Sequence, residues 1–159
     1  MGFLVSDLKK SFKNYRDDVC YYCSKPSAAI QCNEPCCDRK FHYICGFKNN
    51  CVTEFIHNFE SYCHEHVLIA NNIDHKEVDV CAICYDVMGK NNPVSSVVPS
   101  CCSSDFMHRK CMMKYTQEAG YYTMCPLCDN TEPESFQREM KLKGIYIPDR
   151  WVYDYIDNT

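Results

Sequence analysis

Paired cysteines and histidines predict a small α+β fold that bound metal stabilises. The 159 residues include 15 cysteines and six histidines, and most of them occur in pairs separated by two residues. These pairs form two blocks, residues 20–66 and 81–128, each too short to offset its chain entropy with a hydrophobic core. We therefore predict two tandem cross-brace zinc modules, built from short helices and β-hairpins.

The positions of the pairs divide the chain into five segments. The predicted segments are an N-terminal lead (1–19), a first module (20–66), a linker (67–80), a second module (81–130) and a C-terminal tail (131–159). Apolar residues of the lead follow a helical stripe. The tail is predicted to hold a short helix over 135–143, which Gly144 ends.

The first block contains eight ligand candidates. In a cross-brace, the first and third pairs share one ion, and the second and fourth pairs share the other. The predicted ligand sets are Cys20, Cys23, His42 and Cys45 for one zinc, and Cys32, Cys37, Cys63 and His66 for the other. Either Cys36 or Cys37 could complete the second set, and the spacing to His42 favours Cys37. Cys36 and Cys51 are then expected to be structural or partly buried thiols. His57, His64 and His75 are expected to be solvated.

The second block contains eight more candidates. The same sharing rule predicts Cys81, Cys84, His108 and Cys111 for one zinc, and Cys101, Cys102, Cys125 and Cys128 for the other. Neighbouring side chains tend to diverge, so a local kink must bring Cys101 and Cys102 together. The sequence thus predicts four zinc ions in total.

Charge and hydropathy exclude two classes of partner. The formal net charge is −4, and bound thiolates with four zinc ions lower it to about −9. We therefore expect no direct binding to nucleic acid, while basic partners such as histone tails are favoured. No apolar run reaches about 18 residues and no secretory signal is recognisable, so we expect no membrane span and reduced thiols.

The first block resembles the second half of an extended PHD finger. The resemblance is carried by AAIQCNEPCCDRKFHYICGFKNNCVTEF, and the opening GFLVSDL resembles the linker that precedes this half. The zinc knuckle that completes the extended finger is missing before Cys20. Two interpretations stay open: a module that binds histones, and a PHD-like scaffold without a histone pocket.

The second block resembles a RING finger in the residues between its ligands. Cys81-Ala-Ile-Cys84 and Cys125-Pro-Leu-Cys128 are similar to the two loops with which RING ligases hold a ubiquitin-conjugating enzyme. The resemblance implies that Ile83, Pro126 and Leu127 contact that enzyme. The alternative is that these three side chains only brace the zinc loops.

Nearly the whole chain resembles a family of nuclear ubiquitin ligases that pair an extended PHD finger with a RING. PSCCSSDFMHRKCMMKYTQEAGYYTMCPLCDN followed by FQREMKLKGIYIPDR carries this resemblance. It implies a shortened member without a HECT domain or a catalytic cysteine, located in the nucleus, with a histone or another chromatin protein as substrate. Asp129 stands where many active RING fingers have a cation. The alternative function is therefore a non-catalytic module that binds a protein or a histone.

Overall fold

The computed structural model describes residues 4–67, 80–88, 94–102, 105–128 and 132–149. Short helices and two-residue strands make up its regular structure. The helices are α1 (Val5–Tyr15), α2 (Tyr43–Lys48), α3 (Arg109–Ala119) and α4 (Pro133–Leu142), with 3₁₀ turns at Ser100–Cys102 and Gly120–Tyr122. The strands are β1 (Ile30–Gln31), β2 (Lys40–Phe41), β3 (Val52–Thr53), β4 (Ser61–Tyr62), β5 (Ser96–Val97) and β6 (Met107–His108). They pair as the antiparallel hairpins β1–β2, β3–β4 and β5–β6. The predicted fold class is confirmed.

The two modules begin with the same zinc knuckle. The amide of Cys20 donates to the Lys25 carbonyl at 2.9 Å, and the amide of Cys81 donates to the Asp86 carbonyl at 2.9 Å. The residue after each second cysteine turns the chain with a positive φ, 57° at Ser24 and 62° at Tyr85. This repeated local geometry shows that the two blocks use one kind of module.

Each module has its own small core. Phe41 lies at the centre of the first core, among the buried zinc-site thiols. The second core combines Met107 and Met112 with residues of the C-terminal segment, chiefly Phe136 and Met140 of α4. Ile145 and Ile147, directly after α4, are also fully buried there. The tail therefore completes the second module.

The tail also contacts the first module. The Phe55 amide donates to the Lys141 carbonyl at 3.0 Å, and the ring of Phe55 packs edge-on against Tyr146 at 5.5 Å between centroids. From the start of α3, Arg109 donates to the carbonyl of Val94 at 2.6 Å and to the carbonyl of Lys143. The Phe55 contacts dock the tail against the first module, and the Arg109 bonds hold α3 and the tail together within the second module.

The helix predicted over 135–143 is present, with slightly different ends. It begins earlier because Pro133 occupies its first turn, where the missing N–H of proline costs no hydrogen bond. Gly144 follows it with a φ of +73°, a conformation that favours glycine. The C-terminal stop was thus predicted correctly.

The N-terminal lead forms α1, in agreement with its apolar stripe. No residue of α1 is buried, and Leu8 and Phe12 are mostly exposed. Among the described residues, no helix has both the length and the apolarity needed to cross a membrane. Most of the predicted linker, residues 68–79, lies outside the described residues.

Candidate metal centres

The structure brings the predicted ligands together in four groups of four. In each group the candidate ligand atoms lie within 4.8 Å of one another. The groups are Cys20, Cys23, His42 and Cys45; Cys32, Cys37, Cys63 and His66; Cys81, Cys84, His108 and Cys111; and Cys101, Cys102, Cys125 and Cys128. Their membership matches the alternate sharing of pairs that defines a cross-brace.

The first module holds its ligand atoms at the separations of a zinc tetrahedron. Zn–S bonds of about 2.3 Å and Zn–N bonds of about 2.0 Å require ligand atoms roughly 3.5–3.8 Å apart. The Nδ1 atom of His42 lies 3.4 Å from Cys23 Sγ and 3.7 Å from Cys45 Sγ. In the second site, His66 Nδ1 lies 3.5 Å from Cys32 Sγ and 3.4 Å from Cys63 Sγ. Both sites therefore fit zinc.

The second module repeats this geometry, and a local turn brings its two adjacent cysteines into one ligand group. The Nδ1 atom of His108 lies 3.4 Å from Cys84 Sγ and 3.8 Å from Cys111 Sγ. Cys101 and Cys102 lie on the 3₁₀ turn Ser100–Cys102, which is the local kink that the sequence requires. The Sγ atoms of Cys102 and Cys125 are 3.9 Å apart.

A carboxylate of α4 holds that 3₁₀ turn in place. Glu139 accepts hydrogen bonds from the Ser100 amide at 3.0 Å and from the Ser100 hydroxyl at 2.8 Å. Glu139 also forms an ion pair with Lys143 at 2.5 Å. The tail thus supports the fourth zinc site as well as the core.

Backbone amides prepare the first ligand thiol of each module to carry negative charge. Burial by itself raises the pKa of Cys81, but the backbone N–H groups of His108, Cys84 and Ile83 outweigh it and lower that pKa to about 6. In the first module the same arrangement lowers the pKa of Cys20 to about 6. Zinc binding to these thiols therefore starts from groups that deprotonate readily.

One other thiol in each of these two sites is harder to deprotonate. Burial, followed by hydrogen bonds and charge from Cys84 and Cys81, raises the pKa of Cys111 to about 12. Burial and the neighbouring Cys23 and Cys20 raise the pKa of Cys45 to about 11. The three close thiols of each site cannot all ionise in the absence of a cation, so zinc uptake must release protons.

A second layer of contacts orients the ligands of the first module. His42 coordinates through Nδ1 and donates its Nε2–H to the Pro26 carbonyl at 2.9 Å, which fixes its tautomer. Arg39 donates to Cys63 Sγ at 3.2 Å and to Glu65 at 2.8 Å. Sequence spacing gave no signal for Arg39, because its role depends on the fold and not on ligand order.

The non-ligand thiols differ from expectation in one case. Cys51 is half-buried, as predicted, and its Sγ lies 3.1 Å from the Tyr22 hydroxyl. Cys36 is exposed, because the turn that directs Cys37 inward places its neighbour outside. All 15 cysteines are free of disulfide bonds.

The histidines outside the ligand sets also differ from one another. His64 is exposed, as predicted, and in addition its Nδ1 lies 2.7 Å from the hydroxyl of Tyr22. That bond joins the knuckle of Cys20 and Cys23 to the knuckle of Cys63 and His66. His57 is exposed, as predicted, and His75 lies outside the described residues.

The three predicted partner-binding residues are half-buried. Ile83 and Leu127 both pack in part against the core of the second module, and Pro126 lies beside Leu127 in the last knuckle. Part of each apolar surface therefore braces the zinc loops, and the remainder is accessible. Their contact with a conjugating enzyme stays a prediction.

Comparison with known proteins agrees with this architecture. Residues 1–67 match the family model of a PHD-like zinc-binding domain. Together with the four ligand groups, this match confirms the expectation of four zinc ions.

Relatives with similar sequences extend over both modules. The chain is 36% identical over 153 residues to the G2/M phase-specific E3 ubiquitin-protein ligase of Gallus gallus, covering 94% of the chain and 20% of that protein. It is 32% identical to the human protein of the same name, covering 94% of the chain and 21% of that protein. It is 31% identical to the Pineapple eye protein of Drosophila melanogaster, and this match covers 94% of the chain and 26% of that protein. The chain thus spans about a fifth to a quarter of the length of these relatives.

Proposed function

We propose that the chain is a RING-type ubiquitin ligase, because it is similar over 94% of its length to the G2/M phase-specific E3 ubiquitin-protein ligases and to Pineapple eye, and its residues 1–67 match a PHD-like zinc-binding domain. The second module would hold a ubiquitin-conjugating enzyme, charged with ubiquitin as a thioester, beside a substrate lysine. One observation carries the proposal. Similarity to the ligases covers 94% of the chain, which takes it through the second module and beyond the PHD-like match.

The proposed mechanism needs no catalytic group on this chain. The thioester bond breaks on the conjugating enzyme, so the ligase contributes proximity and orientation. Each zinc ion would have four protein ligands and no open position for water, which makes its role structural. The zinc ions fix the two knuckles that carry Ile83 and Leu127, and packing on a common core limits the movement of both side chains.

Ubiquitin discharge from charged conjugating enzymes tests the proposal. We expect the zinc-loaded chain to accelerate discharge with at least one member of a panel of these enzymes. Ile83→Ala and Leu127→Ala should each weaken docking by about 2 kcal/mol, which is enough to remove activity from a weak complex. Ile44→Ala is the matched control, because Ile44 is 59% exposed on the first module.

Zinc content separates loss of docking from loss of fold. Ile83 and Leu127 are partly buried, so each variant must retain four zinc ions for its discharge rate to count. Asp129→Arg supplies the cation that follows the last ligand in many RING fingers and is expected to raise the rate. No discharge by the wild-type chain with any enzyme, together with no rescue by Asp129→Arg, would reject the ligase proposal.

A non-catalytic binding module is the second candidate, and the identity of Asp129 favours it. An acidic residue there lacks the positive charge that holds ubiquitin in its reactive conformation. On this alternative, the acidic chain binds a basic protein segment such as a histone tail. Binding of labelled histone-tail peptides, with no ubiquitin discharge, would support this function over the first.

We also propose a nuclear location and a chromatin protein as substrate. The support is the resemblance to nuclear PHD–RING ligases and the net charge of −4, which suits basic partners. Imaging of the tagged chain in cells tests the location, and exclusion from the nucleus would contradict it. Ubiquitination of nucleosomes, compared with free non-chromatin proteins, tests the substrate.

A further inference from the structure

A cleft of about 630 Å³ lies between the two modules. One wall comes from the end of α2, with Phe47 and Lys48. The other comes from the first knuckle of the second module and the start of α3, with Asp86 and Lys110. This volume lies within the range of pockets that bind drug-sized ligands, which is about 300–1,000 Å³. Phe47 is half-buried, so its ring gives the cleft an apolar surface.

Positive charge concentrates in this cleft although the chain as a whole is acidic. Lys48, Arg109 and Lys110 line it, and Asp86 is the single acidic side chain among the lining residues. Within the described part of the chain, none of the three cations forms an ion pair with a carboxylate. Arg109 donates two of its N–H groups to backbone carbonyl groups, which carry no net charge and so leave the charge of Arg109 uncompensated.

The neighbouring zinc centre does not cancel this charge. A zinc ion with three thiolates and one neutral histidine carries one net negative charge, and Asp86 adds another. The three positive charges of Lys48, Arg109 and Lys110 still outnumber these two negative charges. A ligand that brings a carboxylate would therefore compensate charges that the fold has placed without counter-ions.

We propose that the cleft between the modules binds an acidic peptide segment of a partner protein. A carboxylate of that segment lies between Lys48 and Lys110, and an adjacent apolar side chain packs on Phe47. The complementarity is local, since the rest of this acidic chain repels the same peptide. The inference does not depend on ubiquitin transfer, because the cleft residues are distinct from Ile83, Pro126 and Leu127.

A peptide-binding measurement on the zinc-loaded full chain tests the proposal. The probe is a fluorescent peptide that alternates Glu with Leu, compared with the same peptide carrying Gln in place of Glu. We expect the Glu peptide to bind at least about tenfold more tightly, with an affinity that falls as salt is added. Lys48→Glu and Lys110→Glu should each weaken binding of the Glu peptide about tenfold.

Lys114→Glu is the matched control. Lys114 lies on the same helix as Lys110 but outside the cleft, where it is highly exposed beside Glu118. This variant should bind the Glu peptide within about twofold of wild type. Equal binding of the Glu and Gln peptides would overturn the proposal, as would equal losses in Lys114→Glu and Lys48→Glu. Lys48→Glu alone decides the outcome if Lys110→Glu loses zinc from the adjacent site.

Discussion

At the residue scale, two adjacent cysteines of the first module differ in burial and in role. Cys36 and Cys37 are identical in type, yet Cys37 is buried in a ligand group and Cys36 is exposed. Backbone direction within one turn makes the difference. Residue spacing favoured Cys37, but it could not establish how far outside the site Cys36 would lie.

Serine substitutions should separate these two cysteines. Cys37→Ser removes a thiolate ligand, so we expect loss of one zinc ion and a lower melting temperature. Cys36→Ser changes an exposed thiol and should retain four zinc ions. Metal analysis and thermal unfolding measure both effects. The assignment would be wrong if Cys36→Ser lost zinc and Cys37→Ser kept it.

Tyr22 links the two zinc sites of the first module. Burial first, and then Cys51, raises the pKa of the Tyr22 hydroxyl, so it remains protonated at neutral pH and can donate to His64. Tyr22→Phe removes this bond and should lower the stability of the module by about 1 kcal/mol. In the Tyr22→Phe variant, we expect the two zinc ions of the first module to leave in separate steps during chelator titration.

Tyr62→Phe is the control for Tyr22→Phe. The Tyr62 hydroxyl donates to Glu60, two residues away, and joins no zinc loops. This variant should release zinc as the wild-type chain does. Identical titration curves for the two variants would show that the Tyr22–His64 bond does not couple the sites.

At the scale of elements, Gly144 allows α4 to end against the first module. A Cβ atom at this position would lie 2.8 Å from Val52 Cγ1 and 3.0 Å from the Thr53 carbonyl oxygen, closer than normal contacts. Gly144→Ala should therefore cost about 2 kcal/mol, from backbone strain and from this contact. Hydrogen exchange of the Phe55 amide, which bonds to Lys141, should become faster as docking loosens.

Gly120→Ala is the control that separates the two effects expected in Gly144→Ala, which are the close contact with the first module and the backbone strain. Gly120 also has a positive φ, of 60°, but no atom of the described residues lies within 4 Å of the place that a Cβ would occupy. This variant should lose stability through strain alone and leave exchange at Phe55 close to wild type. Faster exchange in both variants would mean that strain, and not the contact between modules, controls docking.

Elements near the ligands could be predicted from sequence, and the docking of the modules could not. A pair such as Cys81 and Cys84 encodes its own turn, so spacing alone identifies the knuckle and its metal. The stop at Gly144 is equally local. The bond from the Phe55 amide to the Lys141 carbonyl has no such signal, because the two residues are distant in sequence and neither is a zinc ligand. Long-range contacts of this kind depend on the folded surfaces.

At the scale of the whole molecule, metal takes the place of a large hydrophobic core. The two cores are small and include the zinc-site thiols themselves. Binding and folding should therefore be coupled in both modules. We expect four zinc ions per chain, and a chelator should unfold both modules, as followed by circular dichroism and metal analysis.

A reductant is the control for the chelator. All cysteines are free of disulfides in the structure, so a reductant alone should leave the fold intact. Unfolding by reductant would point to disulfide bonds instead of metal. Well-folded protein with two or fewer zinc ions would contradict the ligand groups.

The burial of the tail has a consequence for synthesis on the ribosome. The first module contains all its ligands by His66, so it can bind zinc and fold while the rest of the chain is still being translated. The second module has all its ligands at Cys128, but its core also needs Phe136, Ile145 and Ile147. Its apolar surface and reactive thiols therefore stay unprotected until this segment emerges, and this late interval is when the nascent chain most needs zinc and chaperones.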